Sequence, residues 1–273
     1  MHDQITHRLW FRVAEPVVVT LVFFFAAIVW VAVQGGAVTW DTFNHHLYLG
    51  RQAIEGSRLN HDYFAAGGMS CQYPLGYAPL VAMLDAGLSG ETIFQVLALM
   101  AAVSGPACWL AAWCVVPFAG IEALALRLTA TVLALSGVLW WKLLAQTSND
   151  AIGMSLAIWA VALALLCVDG AWWTSHQRLR WAICGLAGAL AGLALVIKLT
   201  QFVGIAAALC ILLFAKGRWI DRIKCLSFFC IAAISVIFWA GGGWGYEAWR
   251  ACGSPIYPFM LDFFQSRVPG VTP

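Results

Sequence analysis

Seven stretches of this chain are apolar over lengths that suit the hydrocarbon of a bilayer: Pro16 to Val33, Thr92 to Val116, Leu128 to Leu144, Ala151 to Val168, Ala182 to Ile197, Phe202 to Ala215 and Cys225 to Trp244. A helix needs about 20 predominantly apolar residues to cross ~30 Å of lipid, where the backbone must satisfy its own hydrogen bonds. The sixth stretch is short and crosses only with local thinning or help from flanking residues. The expected fold is therefore all-α: a polytopic transmembrane helical bundle of about seven spans forming one domain over residues 1–273.

Composition agrees. Hydrophobic residues make up 62% and charged residues 10%, where a soluble domain carries about 25% charged. A net charge of +2 is too mild a basic balance to suggest nucleic acid as a partner.

Orientation follows from the basic residues. With the N-terminus inside, Arg8, Arg12, Arg127, Arg178, Arg180, Lys216, Arg218, Arg222 and Lys224 lie on the cytoplasmic side, nine against six outside. The compact groups HQRLR and KGRWIDRIK sit in short loops, which the positive-inside rule weighs most. The basic start and first apolar run resemble a secretory signal, but no convincing small-residue cleavage site follows. The expected location is the inner (cytoplasmic) membrane, with the C-terminus and first loop on the periplasmic or extracellular face.

The nine cysteines form no CxxC pair and no paired Cys/His spacing of a zinc site. Seven lie in or beside apolar runs, where a thiol is usually a small core residue. Only Cys71 and Cys252 fall in candidate outer loops. A disulfide between them is conceivable, and its test is the distance between them. In the fifth span, Gly185, Gly188 and Gly192 give a small-residue face on which another helix can approach closely.

The loop from Gln34 to Glu91 exceeds fifty residues, far beyond the ~2–8 that usually join helices. Within it, Phe43, Leu47, Gly50 and Ile54 recur at helical spacing opposite Asn44, His45, Tyr48, Arg51 and Glu55. That is the pattern of a helix lying on the membrane surface. Asp41 precedes it and follows Trp40, an interfacial anchor type. Asp41 is either a helix N-cap, a role Thr39 could also fill, or a carboxylate standing at the membrane surface. Adjacent His45 and His46 point about 100° apart on a helix and cannot share one ion. His61 and Asp62 read as a solvated pair, and Gly67 to Pro79 as an ordered, turn-rich stretch.

On this topology Asn149 and Asp150 begin the fourth span, and Lys198, Thr200 and Gln201 join the fifth to the sixth. Glu247 and Arg250 follow the seventh. Ionisable groups at membrane depth face a cavity or one another, so their convergence on one side points to a polar cleft beneath the first loop. Each taken singly is equally well an ordinary interfacial helix end.

Four segments together resemble the bacterial GT-C membrane glycosyltransferases: WDTFNHHLYLG from Trp40, TSNDAIGM from Thr147, GLALVIKLT from Gly192 and WRACGSPIYPFMLDFFQS from Trp249. Members of that family share a seven-helix module with a long first outer loop carrying an acidic residue soon after the first span, the position Asp41 occupies. The resemblance implies transfer of a sugar from a polyprenyl-phosphate donor to a glycan, lipid or protein acceptor, usually with inversion. It implies that Asp41 acts as the catalytic base, or orients the acceptor or a divalent cation. Lys198 and Arg250 are then candidates for the donor phosphate, and Asn149, Asp150 and His45 for the remaining substrate contacts. Full-length members continue into further spans, so the resemblance implies a short, truncated or split member.

Two other classes stay open. A small-solute transporter would also hold polar residues in a helical bundle, but usually shows internal repeats and mid-membrane helix breaks, neither of which is visible here. A noncatalytic assembly subunit is the third.

Overall fold

The computed structural model describes residues 2–56, 67–168, 176–215 and 217–267, with side chains from Ala14 onward. Arg58, His61, Asp62 and Lys216 lie outside the described residues, as do the side chains of Arg8 and Arg12. Among the described residues every regular element is helical, and the one strand-like contact is an isolated bridge between Ala37 and Gln146.

Helix α1 (His2–Gln34) leads into the first loop, where a π-helical turn (Thr42–His46) runs directly into α2 (Leu47–Glu55). After α3 (Ala78–Asp85), α4 (Gly90–Ala102) and α5 (Ser104–Val115) form one nearly continuous run. Next come α6 (Ile121–Leu135), α7 (Val138–Leu144), α8 (Asp150–Leu166), α9 (Gln177–Ile197), α10 (Phe202–Leu213) and α11 (Trp219–Val236). A second π turn (Ile237–Gly241) joins α11 to α12 (Gly242–Cys252), and α13 (Leu261–Gln265) follows.

Four of these runs are long and apolar enough to cross a membrane: Ala14–Gln34, Gly90–Val115, Gln177–Ile197 and Trp219–Cys252. The stretch expected as a single span over 128–144 is instead two helices, α6 and α7, bent by 71°. The cause is local. Gly137 adopts extended backbone (ψ 126°), and the Ser136 hydroxyl turns back to the Leu133 carbonyl at 2.9 Å. Asp150–Leu166 and Leu199–Leu213 are apolar but shorter. The last run also differs from the expected 225–244, since its helix continues to Cys252 through the π turn.

The packing is inverted relative to a soluble protein. Small residues fill the interior, with Ala160, Ala164, Ala187, Ala191 and Ala208 fully buried in one cluster. Large apolar side chains point outward, among them Phe25, Leu133, Ile231, Phe238 and Trp239. Exposed apolar surface on this scale suits lipid, where close helix packing replaces the hydrophobic drive. At Gly188 an added Cβ would stand 2.1 Å from the Phe229 carbonyl oxygen, and at Gly192 2.5 Å from that of Ala233. These two glycines set the close approach of α9 to α11. Gly185, expected on the same face, meets nothing within 4 Å.

Consecutive helices meet alternately at two ends. At one end the Glu15 carboxylate takes both oxygens to Arg127, and the Cys167 thiol reaches the Arg180 carbonyl. At the other the first loop, the α7–α8 and α9–α10 junctions and the C-terminal segment come together. The Ala37 N–H donates to the Ala145 carbonyl at 2.7 Å there, and Tyr73 donates to the Pro255 carbonyl at 2.9 Å. Cys71 and Cys252 form a disulfide at the same end, with Cα atoms 6.4 Å apart. The pairing conceivable from sequence is present.

Candidate functional site

The first-loop helix exposes Phe43 and Ile54, two of the apolar residues that its periodicity places on one face. Thr42, His45, His46, Leu49, Gly50 and Gln52 are buried, whereas Phe43 and Ile54 are exposed. Of the polar face, His45 turns into the protein with Thr42 and His46, where partners wait, while Arg51 and Glu55 stay exposed. The Thr42 and Thr147 hydroxyls hydrogen-bond at 2.7 Å, and His46 Nδ1 stands 2.7 Å from the same Thr147 oxygen. Thr147 thus ties the first loop to the segment between α7 and α8, beside the Ala37–Ala145 bond.

Asp41 stands at the start of the π turn and makes no capping hydrogen bond. The Thr39 N–H is taken by the Thr42 hydroxyl at 3.0 Å instead. The cap reading therefore does not describe Asp41. Its side chain is 51% exposed, with Oδ1 3.7 Å from Nδ1 of a His45 side chain that is 3% exposed. That His45 nitrogen is buried without a hydrogen-bond partner among the described residues. π-helical turns frequently occur at functional sites, because the extra residue re-aims side chains.

The His46 ring stacks on Tyr77 at 4.5 Å and meets His45 edge-on at 4.5 Å. Burial pushes His46 down to about 3, with His45 and Lys198 adding to the shift and Asp150 opposing it. Burial also lowers His45, against the pull of Asp41. Both imidazoles are neutral near pH 7. Burial raises the Tyr77 phenol, and the Asp150 and Asp41 carboxylates raise it further.

Lys198 Nζ lies 3.1 Å from Asp150 Oδ1 and 3.2 Å from Oδ2, and the Ser148 hydroxyl donates to that Oδ2 at 2.5 Å. Asn149 is fully buried, and its Nδ2 donates to the Ile197 carbonyl at 2.8 Å. It fastens the start of α8 to the end of α9 in a space that Gly76 leaves open. Lys198 also lines a cavity of about 200 Å³ with Gln72, Tyr73, Thr200 and Tyr257.

Asp41, His45, Asp150 and Lys198 are thus brought into one group. Arg250 is not: it is exposed near the end of α12, its guanidinium 5.9 Å from the Tyr246 ring. His46, Tyr77 and Thr147 belong to the group as well; the sequence marks His46 only as the neighbour of His45, and Tyr77 and Thr147 carry no distinguishing signal. Among the described residues no three His, Cys, Asp or Glu side chains stand where they could share a metal ion.

Fold and site together define an all-helical, multi-pass membrane protein with a polar cluster gathered at one end of its bundle. Compared with protein-family models, curated proteins and solved structures, the chain matches none.

Proposed function

We propose that this chain is a membrane glycosyltransferase that moves a sugar from a polyprenyl-phosphate donor to an envelope glycan, lipid or protein acceptor. The observation that carries the reading is Asp41, a carboxylate without a capping role that is half exposed beside a buried, neutral histidine and shares a cluster with Lys198. In the transfer the acceptor hydroxyl loses its proton to Asp41 while its oxygen forms a bond to the anomeric carbon. The bond from that carbon to phosphate breaks, and its electron pair leaves with the phosphate. A positioned base and a nearby cation are the groups that such a step needs. Lys198 supplies the cation, held toward the cluster by Asp150.

The site works on the outer face of the cytoplasmic membrane, with the N-terminus inside and seven crossings. The Cys71–Cys252 disulfide supports that orientation, because disulfides persist in oxidising compartments outside the cytoplasm. It joins the first loop to the C-terminal segment, both assigned outside.

The test compares envelope glycans and lipid-linked sugars by mass spectrometry in a deletion strain carrying wild type, Asp41→Asn or no copy. A sugar that returns with wild type alone is the expected result. Full restoration by Asp41→Asn removes Asp41 from the mechanism, and three matching profiles in cells that express the protein overturn the transferase reading.

A further inference from the structure

An apolar groove of about 940 Å³ runs along α1, away from the polar cluster. α1 packs on α4 and α5, and α8 packs on α5 and α9, so α5 forms a floor between two walls. Leu21 and Phe24 of α1 line one wall, Trp159 of α8 and Leu190 of α9 the other, and Trp109 and Trp113 of α5 lie between them. α1, α5 and α9 all belong to runs long and apolar enough to cross a membrane, which puts the groove at the depth of the hydrocarbon.

Its extent fits one leaflet. Glu15, paired with Arg127, marks one end of the groove and Phe24 the other. The stretch of α1 between them rises about 14 Å at ~1.5 Å per residue, close to half of a ~30 Å hydrocarbon core.

The lining selects for hydrocarbon. Three of its polar side chains are engaged within the fold: Glu15 with Arg127, the Thr20 hydroxyl with the Pro16 carbonyl at 2.7 Å, and the Trp159 indole N–H with the Val103 carbonyl at 2.8 Å. What remains is ring and aliphatic surface. A helix from a partner is the other apolar occupant at this depth, and the lining argues against it. Helices pack in lipid through small residues, as α9 meets α11 through Gly188 and Gly192. Three indoles and a phenyl ring crowd this groove instead. A flexible chain threads among such rings, whereas a rigid cylinder about 10 Å across cannot settle between them. The chain of a lipid-linked donor is a poorer fit, because it would start from Lys198 at the opposite end of the bundle and enter the other leaflet.

We infer that the groove between α1 and the α8–α9 wall binds one acyl chain of a bilayer phospholipid from the leaflet at the Glu15–Arg127 end. The inference does not depend on the transferase reading. The bound chain supplies α1 with van der Waals contacts that the polypeptide leaves unmade on that side.

The experiment places the purified full-length protein in vesicles of phosphatidylethanolamine and phosphatidylglycerol. The vesicles carry a trace of phospholipid with a diazirine in its acyl chain, or of polyprenyl phosphate with a diazirine in its isoprenoid chain. After irradiation, mass spectrometry of peptides maps the adducts. The phospholipid probe should label Leu110 and Trp113 in the groove about fivefold more than the outward-facing Leu133 and Ile231, the difference that a handful of extra van der Waals contacts makes. Leu21→Trp and Leu190→Trp each fill the groove. Labelling of Leu110 and Trp113 should fall in them to the level of the outer faces, with the melting temperature in detergent unchanged. Either variant serves should the other fail to fold. Groove labelling in wild type no higher than at Leu133 and Ile231, or undiminished in both variants, overturns the site. Labelling by the polyprenyl probe in place of the phospholipid also overturns it. So does protection of the groove from both probes in a complex of twice the monomer mass, which makes a second copy the occupant.

Discussion

Lys198 and Asp150 form an ion pair, Nζ to Oδ1 3.1 Å, across the junction between the end of α9 and the start of α8. Both side chains keep some contact with solvent, at 24% and 36% exposure, so the pair itself adds little stability. The proposed donor phosphate competes for the same ammonium. Lys198→Ala is expected to raise the KM for the lipid-linked donor about tenfold, the scale of one charge-assisted hydrogen bond. Asp150→Asn should shift it less than about threefold, because water replaces a partly exposed partner. Steady-state kinetics on both variants decide the matter. Equal damage from both would make the pair a structural fastening and take Lys198 out of phosphate binding.

The Cys71–Cys252 disulfide closes a sequence separation of 181 residues. Bridges of this kind stabilise by about 2–5 kcal/mol. Cys71→Ser, Cys252→Ser and the double variant should lower the melting temperature equally in detergent, and reductant should lower wild type to the same value. Thiol counting on the denatured protein gives the direct check: seven free thiols before reduction and nine after. Nine without reductant would show the bridge absent.

The pH dependence follows from His46, whose folded value near 3 lies below the ordinary value of 6.5. The unfolded chain takes up the proton first, so this contribution to stability is complete above 6.5 and is lost as pH falls from 6.5 toward 3. Between pH 7 and pH 5 the loss is about 2 kcal/mol. Thermal unfolding at the two pH values should show it in wild type, and His46→Gln should flatten the difference. An unchanged difference in that variant would assign the acid sensitivity to other groups.

Much of this architecture is legible in the sequence, because lipid imposes one rule on every apolar run. The positions of α1, α8 and α9 follow directly from hydrophobic length. The break at Ser136 and Gly137 does not, since a lone glycine in an apolar run gives no sign that its backbone will turn extended. In the site, Asp41, Asp150 and Lys198 stand out as charges next to apolar stretches. Thr147 and Tyr77 do not, because uncharged polar residues at helix ends are common. The face of the first-loop helix was legible only as a periodicity. Which side turned inward depended on Thr147, 105 positions away from Thr42. Arg127, counted from sequence among the loop charges, is buried in α6.

Close packing of α9 on α11 gives a matched pair of substitutions. Gly188→Val drives a side chain into the Phe229 carbonyl, whereas Gly185→Val enters open space. Backbone cannot give way as a side-chain tip can, so the first should cost about 1–3 kcal/mol or more. The second should be close to neutral. Size-exclusion profiles and melting temperatures in detergent compare them, and equal behaviour would mean the two helices are not held at this distance.

Arg127 and Glu15 make the opposite end of the bundle a test of buried charge. Arg127 is 2% exposed and Glu15 12%, with guanidinium-to-carboxylate distances of 2.8 and 2.9 Å. Arg127 also donates to the Val116 and Phe118 carbonyls beyond α5, at 3.0 Å each. Removing Glu15 alone leaves a buried cation without its anion, which costs about 3–5 kcal/mol. Glu15→Gln should therefore destabilise strongly. Adding Arg127→Met removes the stranded charge and should recover part of the loss. Recovery stays incomplete, since two carbonyls then lose their donor, at a cost of about 1–3 kcal/mol. Thermal unfolding of the two single variants and the double variant measures the coupling. A double variant no more stable than Glu15→Gln would show that Arg127 acts through the carbonyls and not through Glu15.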